Sequence, residues 1–320
     1  MTGCWRFPRM LVWSPKIKGF FPPYTNACTF SVNGGSGQFI RNVNTVKKLA
    51  LGLFLLAACS LHGQRGWEAG AWGGVSYYFG DLNTNYYLGM PNLAAGVMGR
   101  FNFNERVCFK MGASFGRIEA SDAVSKNIYE QARNLSFRSR IIEGSAEFEF
   151  NFLPYIHGSR DAFFTPYLFA GIAIFSFNPE AEYQGRWVEL RPLGTEGQFK
   201  GEEYFAVQPA LSYGGGFKFD LNAAWSVNLE ISARNASTDY LDDVSTVYPD
   251  KRDLGRARGD LAVALSDRSI DVPGVNDSQL GQVGTQRGNS KNKDMYVFVK
   301  AGIVRYFGSL RCPSAGGSRR

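Results

Sequence analysis

Apolar and polar side chains alternate with a period of two along most of the chain after residue 66. In residues 67–79, WEAGAWGGVSYYF, the odd positions place Trp67, Val75 and Phe79 on one face together with small residues. Successive side chains of a β-strand point to opposite faces, so this period predicts strands with one apolar face. Eight segments share the pattern and are predicted as strands: 67–79, 93–103, 106–116, 136–152, 163–177, 204–220, 225–234 and 294–307.

The segments that connect these strands alternate between long and short. Long polar stretches follow the first, third, fifth and seventh strands, whereas short turns follow the second, fourth and sixth. An even number of strands with long loops at one end and short turns at the other is typical of an outer-membrane barrel. We therefore predict an all-β fold, an eight-stranded antiparallel transmembrane β-barrel with long extracellular loops and short periplasmic turns. Residues 163–177 are apolar on both faces, which leaves their register open, and residues 235–293 are expected to form an irregular, partly mobile polar loop.

Charged residues occupy the polar faces that we assign to the strands. An eight-stranded barrel is only wide enough for side chains to fill its interior, so charges of both signs are expected to pair there. We therefore expect a plugged lumen without an open pore. The candidate ion-pair residues of the lumen are Glu68, Arg100, Lys110, Arg138, Arg140, Glu147, Glu149, Lys218, Glu230, Arg234 and Lys300.

Residues 46–64, VKKLALGLFLLAACSLHGQ, carry two lysines followed by an apolar run from Leu49 to Ala58. The run is shorter than the roughly 20 apolar residues that a spanning helix needs, and the pattern is typical of a secretory signal peptide. Cleavage by a general signal peptidase beyond Ala58 is one interpretation, and a lipobox with an acylated Cys59 is the other. Residues 1–45 show no periodicity and are explained by a start codon placed too early, with an extended leader as the alternative. Residues 65–307 would then form the barrel and residues 308–320 a periplasmic tail.

The charge balance changes once the leader is set aside. The whole chain has 35 Lys and Arg residues against 28 Asp and Glu, a formal net charge of +7. Residues 1–64 hold seven of the basic residues and none of the acidic ones, so 28 of each remain in the mature chain. The sequence therefore gives no support to a nucleic-acid partner, whose phosphates would require an excess of basic residues.

Few residues of the mature chain could carry chemistry. His157 is its single histidine, and we expect it on the surface of a periplasmic turn. Glu147 and Glu149 are interpreted as ion-pair partners, not as an acid and a base. The aspartates at 239, 242 and 243 could hold calcium, but their spacing matches no EF-hand, and solvated loop acids explain them more simply. We predict no catalytic residue, no cofactor and no metal site, and we leave open a disulfide between Cys108 and Cys312.

Four short segments resemble a known family. They are GDLN at 80–83, TDYLDDVS at 238–245, LAVALSDRS at 261–269 and YFGSLRCP at 306–313. With these segments, residues 64–313 resemble the PorG family of outer-membrane barrels, which is associated with the type IX secretion system of Bacteroidota. The resemblance implies a non-enzymatic barrel in the outer membrane of a Gram-negative bacterium, surrounded by outer-membrane lipid. It also implies a link to a periplasmic secretion ring of PorK and PorN type, but it identifies no contact residue.

Two other functions remain as alternatives, a small transport or ligand-binding barrel and an adhesin-like structural barrel. An open lumen would favour transport, whereas adhesion would depend on the loops alone. A secretion ring would lie in the periplasm, where the tail is the largest free segment. Its residues Arg311, Cys312 and Pro313 are therefore the candidate partner contacts. The competing interpretation is a disordered remnant after the closing strand.

Overall fold

The computed structural model describes residues 65–275 and 280–308. The predictions for residues 1–64, including the signal peptide and Cys59, lie outside the described residues, as do those for the tail beyond residue 308.

Within the described ranges, the chain forms one antiparallel sheet that closes on itself. Its strands are β1 Gly66–Phe79, β2 Asn92–Asn102, β3 Val107–Ser121, β4 Ser136–Asn151, β5 Phe164–Tyr183, β6 Arg186–Glu189, β7 Val207–Asp220, β8 Trp225–Ala236 and β9 Met295–Tyr306. Each barrel strand pairs with its sequence neighbour, and β1 pairs with β9 to close the ring. The short β6 only extends β5 as a hairpin at its extracellular end. The predicted eight-stranded antiparallel barrel is therefore confirmed.

The register of β5, which its sequence leaves open, is set by the two neighbouring strands. Pairing places Ala170 between Phe148 of β4 and Tyr213 of β7 on the outer surface. The odd-numbered residues of β5 consequently point into the lumen. Glycine is required on the adjoining β7, because a Cβ atom on Gly214 or Gly216 would collide with the backbone of β8.

The outer surface of the barrel is apolar. Leu93, Ile142, Ile172 and Ile231 are each more than half exposed on it. Near the periplasmic rim, aromatic residues of four adjacent strands stand side by side in register: Trp67, Phe101, Phe109 and Phe148. An apolar band bounded by aromatic residues suits lipid, and closure of the sheet leaves no strand edge unpaired within it. The fold is that of an outer-membrane β-barrel.

The extracellular loops contain three short α-helices among the described residues, besides 3₁₀ turns at Asp122–Val124 and Arg191–Leu193. The α-helices are α1 Ile128–Arg133, α2 Lys251–Arg258 and α3 Asp260–Ser266. Leu254 of α2 and Leu265 of α3 are buried, so the loop that we expected to be irregular over 235–293 has a packed part. Helices of this length are stabilised by packing and not by a long periodic pattern, which is why the sequence did not reveal them. None of the helices in the described ranges is long and apolar enough to span a bilayer.

An apolar layer fills the extracellular half of the lumen. Ile118, Phe137, Phe175 and Phe298 are buried there, and Leu241 of the longest loop packs above them. Tight apolar packing leaves no path for water between the side chains. The polar part of the lumen is therefore closed from outside.

Candidate functional site

Nine of the predicted lumenal charges are buried inside the barrel, from its periplasmic rim up to Arg234 near the extracellular end of β8. They are Glu68, Arg100, Lys110, Glu147, Glu149, Lys218, Glu230, Arg234 and Lys300. Each occupies a strand position that alternates with a lipid-facing residue, so the period of two brings all nine together.

Arg234 holds the upper part of this network. Its guanidinium donates two hydrogen bonds of 2.9 Å to the carboxylate of Glu143 and lies 3.2 Å from Glu147. The hydroxyl of Tyr296 donates a third hydrogen bond to Glu143, at 2.7 Å. A bidentate contact of this kind fixes the orientation of both side chains. Glu143 was absent from our candidates, although its odd position on β4 matches those of Glu147 and Glu149.

Lys110 and Arg100 connect this part to the periplasmic rim. The ammonium of Lys110 lies 3.0 Å from Glu147 and 2.6 Å from Glu230. Arg100 lies between Glu149 and Glu68, at 2.7 and 2.6 Å. Lys218 and Lys300 each contact one of these carboxylates as well, at 2.8 and 3.0 Å.

The network neutralises itself and fills its space. Every lumenal cation described above contacts a carboxylate, so burial of the charges is compensated within the network. The cavity left between them measures about 30 Å³, which holds a few water molecules at most. The lumen is therefore plugged and cannot serve as a conduit in this conformation.

The predicted lumenal positions of Arg138 and Arg140 are wrong. The inward positions of β4 are odd-numbered, as at Glu147, so the even-numbered arginines face outward. Both contact Glu180 of β5, at 2.9 and 3.2 Å, and the guanidinium of Arg138 lies over the ring of Trp187. The outward charges lie on the part of the hairpin that extends beyond the apolar band, where they remain in contact with water.

The predicted surface position of His157 is also wrong, because the residue is buried in the periplasmic mouth of the barrel. Its ring stacks on Tyr306 with centroids 4.3 Å apart. Nε2 lies 3.1 Å from Glu68 and Nδ1 lies 2.9 Å from Asp220. Burial would lower the pKa of His157, but the hydrogen bonds and charges of Asp220 and Glu68 outweigh it and raise the pKa to about 9. The ring is thus protonated at neutral pH and its charge lies between the carboxylates of Glu68 and Asp220, so it acts as a clamp and not as a base.

Two of the segments that carry the family resemblance are joined at the extracellular end. Asp81, from GDLN, accepts a hydrogen bond of 2.6 Å from the amide of Asn289. Asp242, from TDYLDDVS, lies 2.6 Å from the hydroxyl of Tyr78 at the end of β1. The same hydroxyl lies 2.7 Å from Asp294, just before β9. These contacts fasten the loops to the strand ends on which the barrel closes.

The third segment, LAVALSDRS, joins them through Arg287. The guanidinium of Arg287 donates to the carbonyl of Ser266 at 3.1 Å and to Glu196 at 2.9 Å. It also donates to the carbonyl of Asp243. Segments that are far apart in the sequence therefore form one packed unit, which we call the loop cap: residues 80–83, 195–196, 238–248, 261–269 and 286–294.

The three aspartates of TDYLDDVS, at 239, 242 and 243, each contact a different partner. The contacts are Tyr78 for Asp242, Ser245 for Asp239 and Tyr204 for Asp243. Across residues 65–275 and 280–308, no group of three or more His, Cys, Asp or Glu side chains is placed to hold a metal. Burial raises the pKa of Asp239 to about 7, and it raises that of Asp243 to about 6 against the opposing charge of Arg287. The carboxyls are thus buried parts of the cap, not the solvated loop acids that we expected.

Cys108 is buried at an inward position of β3 and forms no disulfide with a described residue. Its possible partner Cys312 lies outside the described residues, together with Arg311 and Pro313. The contact between the tail and a partner therefore stays a prediction.

The family described as Domain of unknown function (DUF6089) matches residues 47–258 of the chain. No curated protein matches the chain. Among solved structures, the chain is similar to Neisserial surface protein A, with 9% identity and a TM-score of 0.38 over 77% of this chain and 100% of that one. It is also similar to the attachment invasion locus protein of Yersinia pestis, with 10% identity and a TM-score of 0.34 over 77% and 99%. OprG from Pseudomonas aeruginosa has 10% identity and a TM-score of 0.36 over the same shares.

Proposed function

The chain belongs to the DUF6089 family, and we propose that it is a non-enzymatic outer-membrane component of a type IX protein secretion machine. In this proposal the barrel links a periplasmic ring of PorK and PorN type to the outer membrane of a bacterium of the Bacteroidota. The proposal rests on the segments GDLN, TDYLDDVS and LAVALSDRS, which resemble those of PorG.

One observation carries the proposal. The three segments are separated by up to about 180 positions, yet Asp81 and Ser266 hydrogen-bond to residues 286–294 of the loop cap. Asp242 meets Asp294 of the same segment at the hydroxyl of Tyr78. Loops at one end of a barrel lie close together in any case, but a buried ion pair such as that of Arg287 with Glu196 is a more specific arrangement than proximity alone. Their convergence supports a resemblance that extends to the packed structure of the loops.

The plugged lumen favours an anchoring role over transport. A transport barrel needs a path through its interior, but the ion pairs of Arg234 and Lys110 lie across it. The same contacts support the non-enzymatic part of the proposal, because Glu147 is held by both of these cations and His157 by two carboxylates. In this reading, the barrel contributes its two ends and its outer surface to the machine.

Deletion of the gene tests the proposal. We expect loss of type IX cargo from the medium, and we expect tagged wild-type chain to co-purify the PorK- and PorN-type proteins. Intact cargo secretion after deletion would refute the proposal. The role of the tail is tested by truncating the chain after Gly308 and measuring co-purification of the PorK- and PorN-type proteins. Heat-modifiable migration verifies that the truncated barrel still inserts. The substitution pair Arg252→Gln and Arg256→Gln on exposed α2 is the matched control, since it removes charge from the opposite end of the barrel.

An adhesin-like function is the second candidate, and the loop after β1 favours it. Tyr86 and Leu88 are 67% and 59% exposed there, which is unusual for two large apolar side chains so close together in a loop. If this function is the correct one, deletion will leave cargo secretion intact and will reduce attachment of cells to surfaces.

A further inference from the structure

A cleft of about 750 Å³ opens at the extracellular end of the barrel, between the loop after β1 and residues 286–294. Its floor is formed by Phe79, Met295 and Asn235 of β1, β9 and β8. Pairing places Phe79 beside Met295 and Met295 beside Asn235, all at outward positions. The cleft therefore lies on the lipid-facing flank and is separate from the lumen. Its volume is in the range of small-molecule sites.

The floor lies at the height of the outer membrane interface. Trp67 belongs to the aromatic row at the periplasmic rim, and Phe79 is the last residue of the same strand. Roughly 12 residues with a rise of about 3.3 Å, tilted by about 40°, climb about 30 Å, slightly more than the apolar band of about 25 Å. A ligand in the cleft would therefore have its polar part among lipid headgroups and its apolar part in contact with the band below.

The loop beside the cleft is held in position. The ring of Tyr86 lies 5.2 Å from that of Phe79 and covers the floor from one side. Tyr86 has a φ of 52°, a left-handed conformation that is uncommon for a tyrosine. Asn83 stabilises this turn, because its side chain donates to the carbonyl of Tyr78 at 2.7 Å and accepts from the amide of Tyr87 at 2.8 Å. The aromatic wall is thus part of a fixed loop.

Among the charged residues that line the cleft, two lysines remain available to a ligand. Arg133 and Arg287 line it as well, but each is engaged within the protein, with Asp122 at 2.8 Å and Glu196 at 2.9 Å. The acids of the lining are Asp81 and Glu130, which accept hydrogen bonds from Asn289 and Thr84. Neither Lys291 nor Lys293 forms a salt bridge with a described residue, but Lys293 is close enough to Asp239 for its charge to oppose the rise in pKa that burial causes at that carboxyl. Both lysines are exposed and line the same cleft as the apolar side chains of Phe79 and Met295.

We propose that this cleft binds the phosphorylated headgroup of an outer-leaflet lipid. Lys291 and Lys293 contact the phosphate, the side chains of Gln286 and Asn292 supply further hydrogen-bond donors, and the acyl chains continue downward over Phe79 and the lipid-facing wall. The arrangement fits an amphiphile better than a soluble anion, since the cationic wall and the apolar floor meet at the membrane interface.

The test measures binding of the purified full chain in nanodiscs to phosphorylated lipid A and to its dephosphorylated form. One lysine near a membrane surface contributes about a fivefold preference for anionic lipid, so wild type should prefer the phosphorylated lipid by about 25-fold. The double variant Lys291→Gln/Lys293→Gln should lose this preference. Lys200→Gln, which removes an exposed lysine from another extracellular loop, should keep it. Heat-modifiable migration verifies that each variant is folded.

The proposal is overturned if wild type binds both lipids equally or if Lys200→Gln weakens binding as much as the double variant does. Competition with inorganic phosphate distinguishes the two sources of the anion. Persistence of lipid binding in millimolar phosphate supports the lipid site, whereas complete displacement would assign the cleft to a soluble anion and overturn the proposal. Neither readout depends on protein secretion.

Discussion

Arg234→Met removes the cation that lies between Glu143 and Glu147 in the lumen. Methionine is apolar and donates no hydrogen bond, so Glu143 keeps only the contact from Tyr296 at 2.7 Å. Glu147 still has Lys110 at 3.0 Å. The main cost is therefore one buried carboxylate without its partner. Removing one member of a buried ion pair typically costs about 3–5 kcal/mol, and we expect the free energy of unfolding to fall by this amount.

The double variant Arg234→Met/Glu143→Gln separates loss of the ion pair from burial of an isolated charge. Glutamine keeps an acceptor for Tyr296 but carries no charge. The double variant should therefore be more stable than Arg234→Met by about 1–3 kcal/mol, because it removes the penalty of a buried charge that has lost its partner. This recovery is the specific consequence of the geometry, since loss of packing alone would not be repaired by a second substitution.

Unfolding in urea, followed by tryptophan fluorescence of the refolded barrel in lipid vesicles, measures both values. Arg305→Met is the matched control, because Arg305 faces outward and lies near the rings of Trp225 and Phe307, 5.7 and 5.3 Å from their centroids. The Arg305→Met substitution should lower the free energy of unfolding by about 1 kcal/mol or less. A cost for Arg234→Met as small as that of the control would refute the reasoning, and so would strict additivity in the double variant.

Three further outcomes are expected. Leu229 faces lipid on β8, so Leu229→Arg should lower the free energy of unfolding by about 2–4 kcal/mol. The control Ala257→Arg on exposed α2 should lower it by under about 0.5 kcal/mol. Equal costs would contradict the strand assignment. The folded-state pKa of His157 is raised from 6.5 to about 9, so its contribution to the free energy of unfolding is complete below pH 6.5 and is lost as the pH rises through 9. Urea unfolding of His157→Gln should not show this loss of stability. A pH profile of His157→Gln that matches wild type would exclude the clamp. The pKa of Asp239 is raised from 3.8 to about 7, so stabilisation of the loop cap fades over that window as the pH rises. The protection factors of residues 238–245, which correct the exchange rates for base catalysis, should therefore fall between about pH 4 and about pH 7 in wild type but not in Asp239→Asn.

The barrel strands were predictable because two different environments enforce their alternation. One face of each strand meets lipid and the other meets the polar lumen, so the period of two is visible in the sequence. The predicted ends were less accurate where strands continue above the membrane. β3 extends to Ser121, five residues past its predicted end, because Arg117 and Glu119 pair in register with β4 while facing water. Pairing continues there after the apolar face has ended.

The errors at the site have a different origin. We assigned Arg138 to the lumen because it is charged, without checking whether the odd- or the even-numbered residues of β4 face inward. The odd-numbered residues do, so Arg138 lies on the outer surface. No strand pattern could have placed His157, because the turn at 152–163 folds back into the barrel mouth to bring it to Glu68. The loop cap likewise depends on contacts such as that of Asp81 with Asn289, which join residues about 200 positions apart. Local periodicity carries no information on such pairs.

The layered interior also determines how the two ends can influence each other. The ion pairs of the lumen are satisfied among themselves, and the apolar layer of Ile118 and Phe298 separates them from the loop cap. Effects of substitutions more than about 10 Å apart with no shared partners usually add. Truncation after Gly308 should therefore leave lipid binding in the cleft unchanged, and Lys291→Gln/Lys293→Gln should leave ring co-purification unchanged. If combining the two changes reduced either property beyond its single-variant value, the barrel would have to couple its ends through a rearrangement of the plug, and the static seal inferred from these contacts would be wrong.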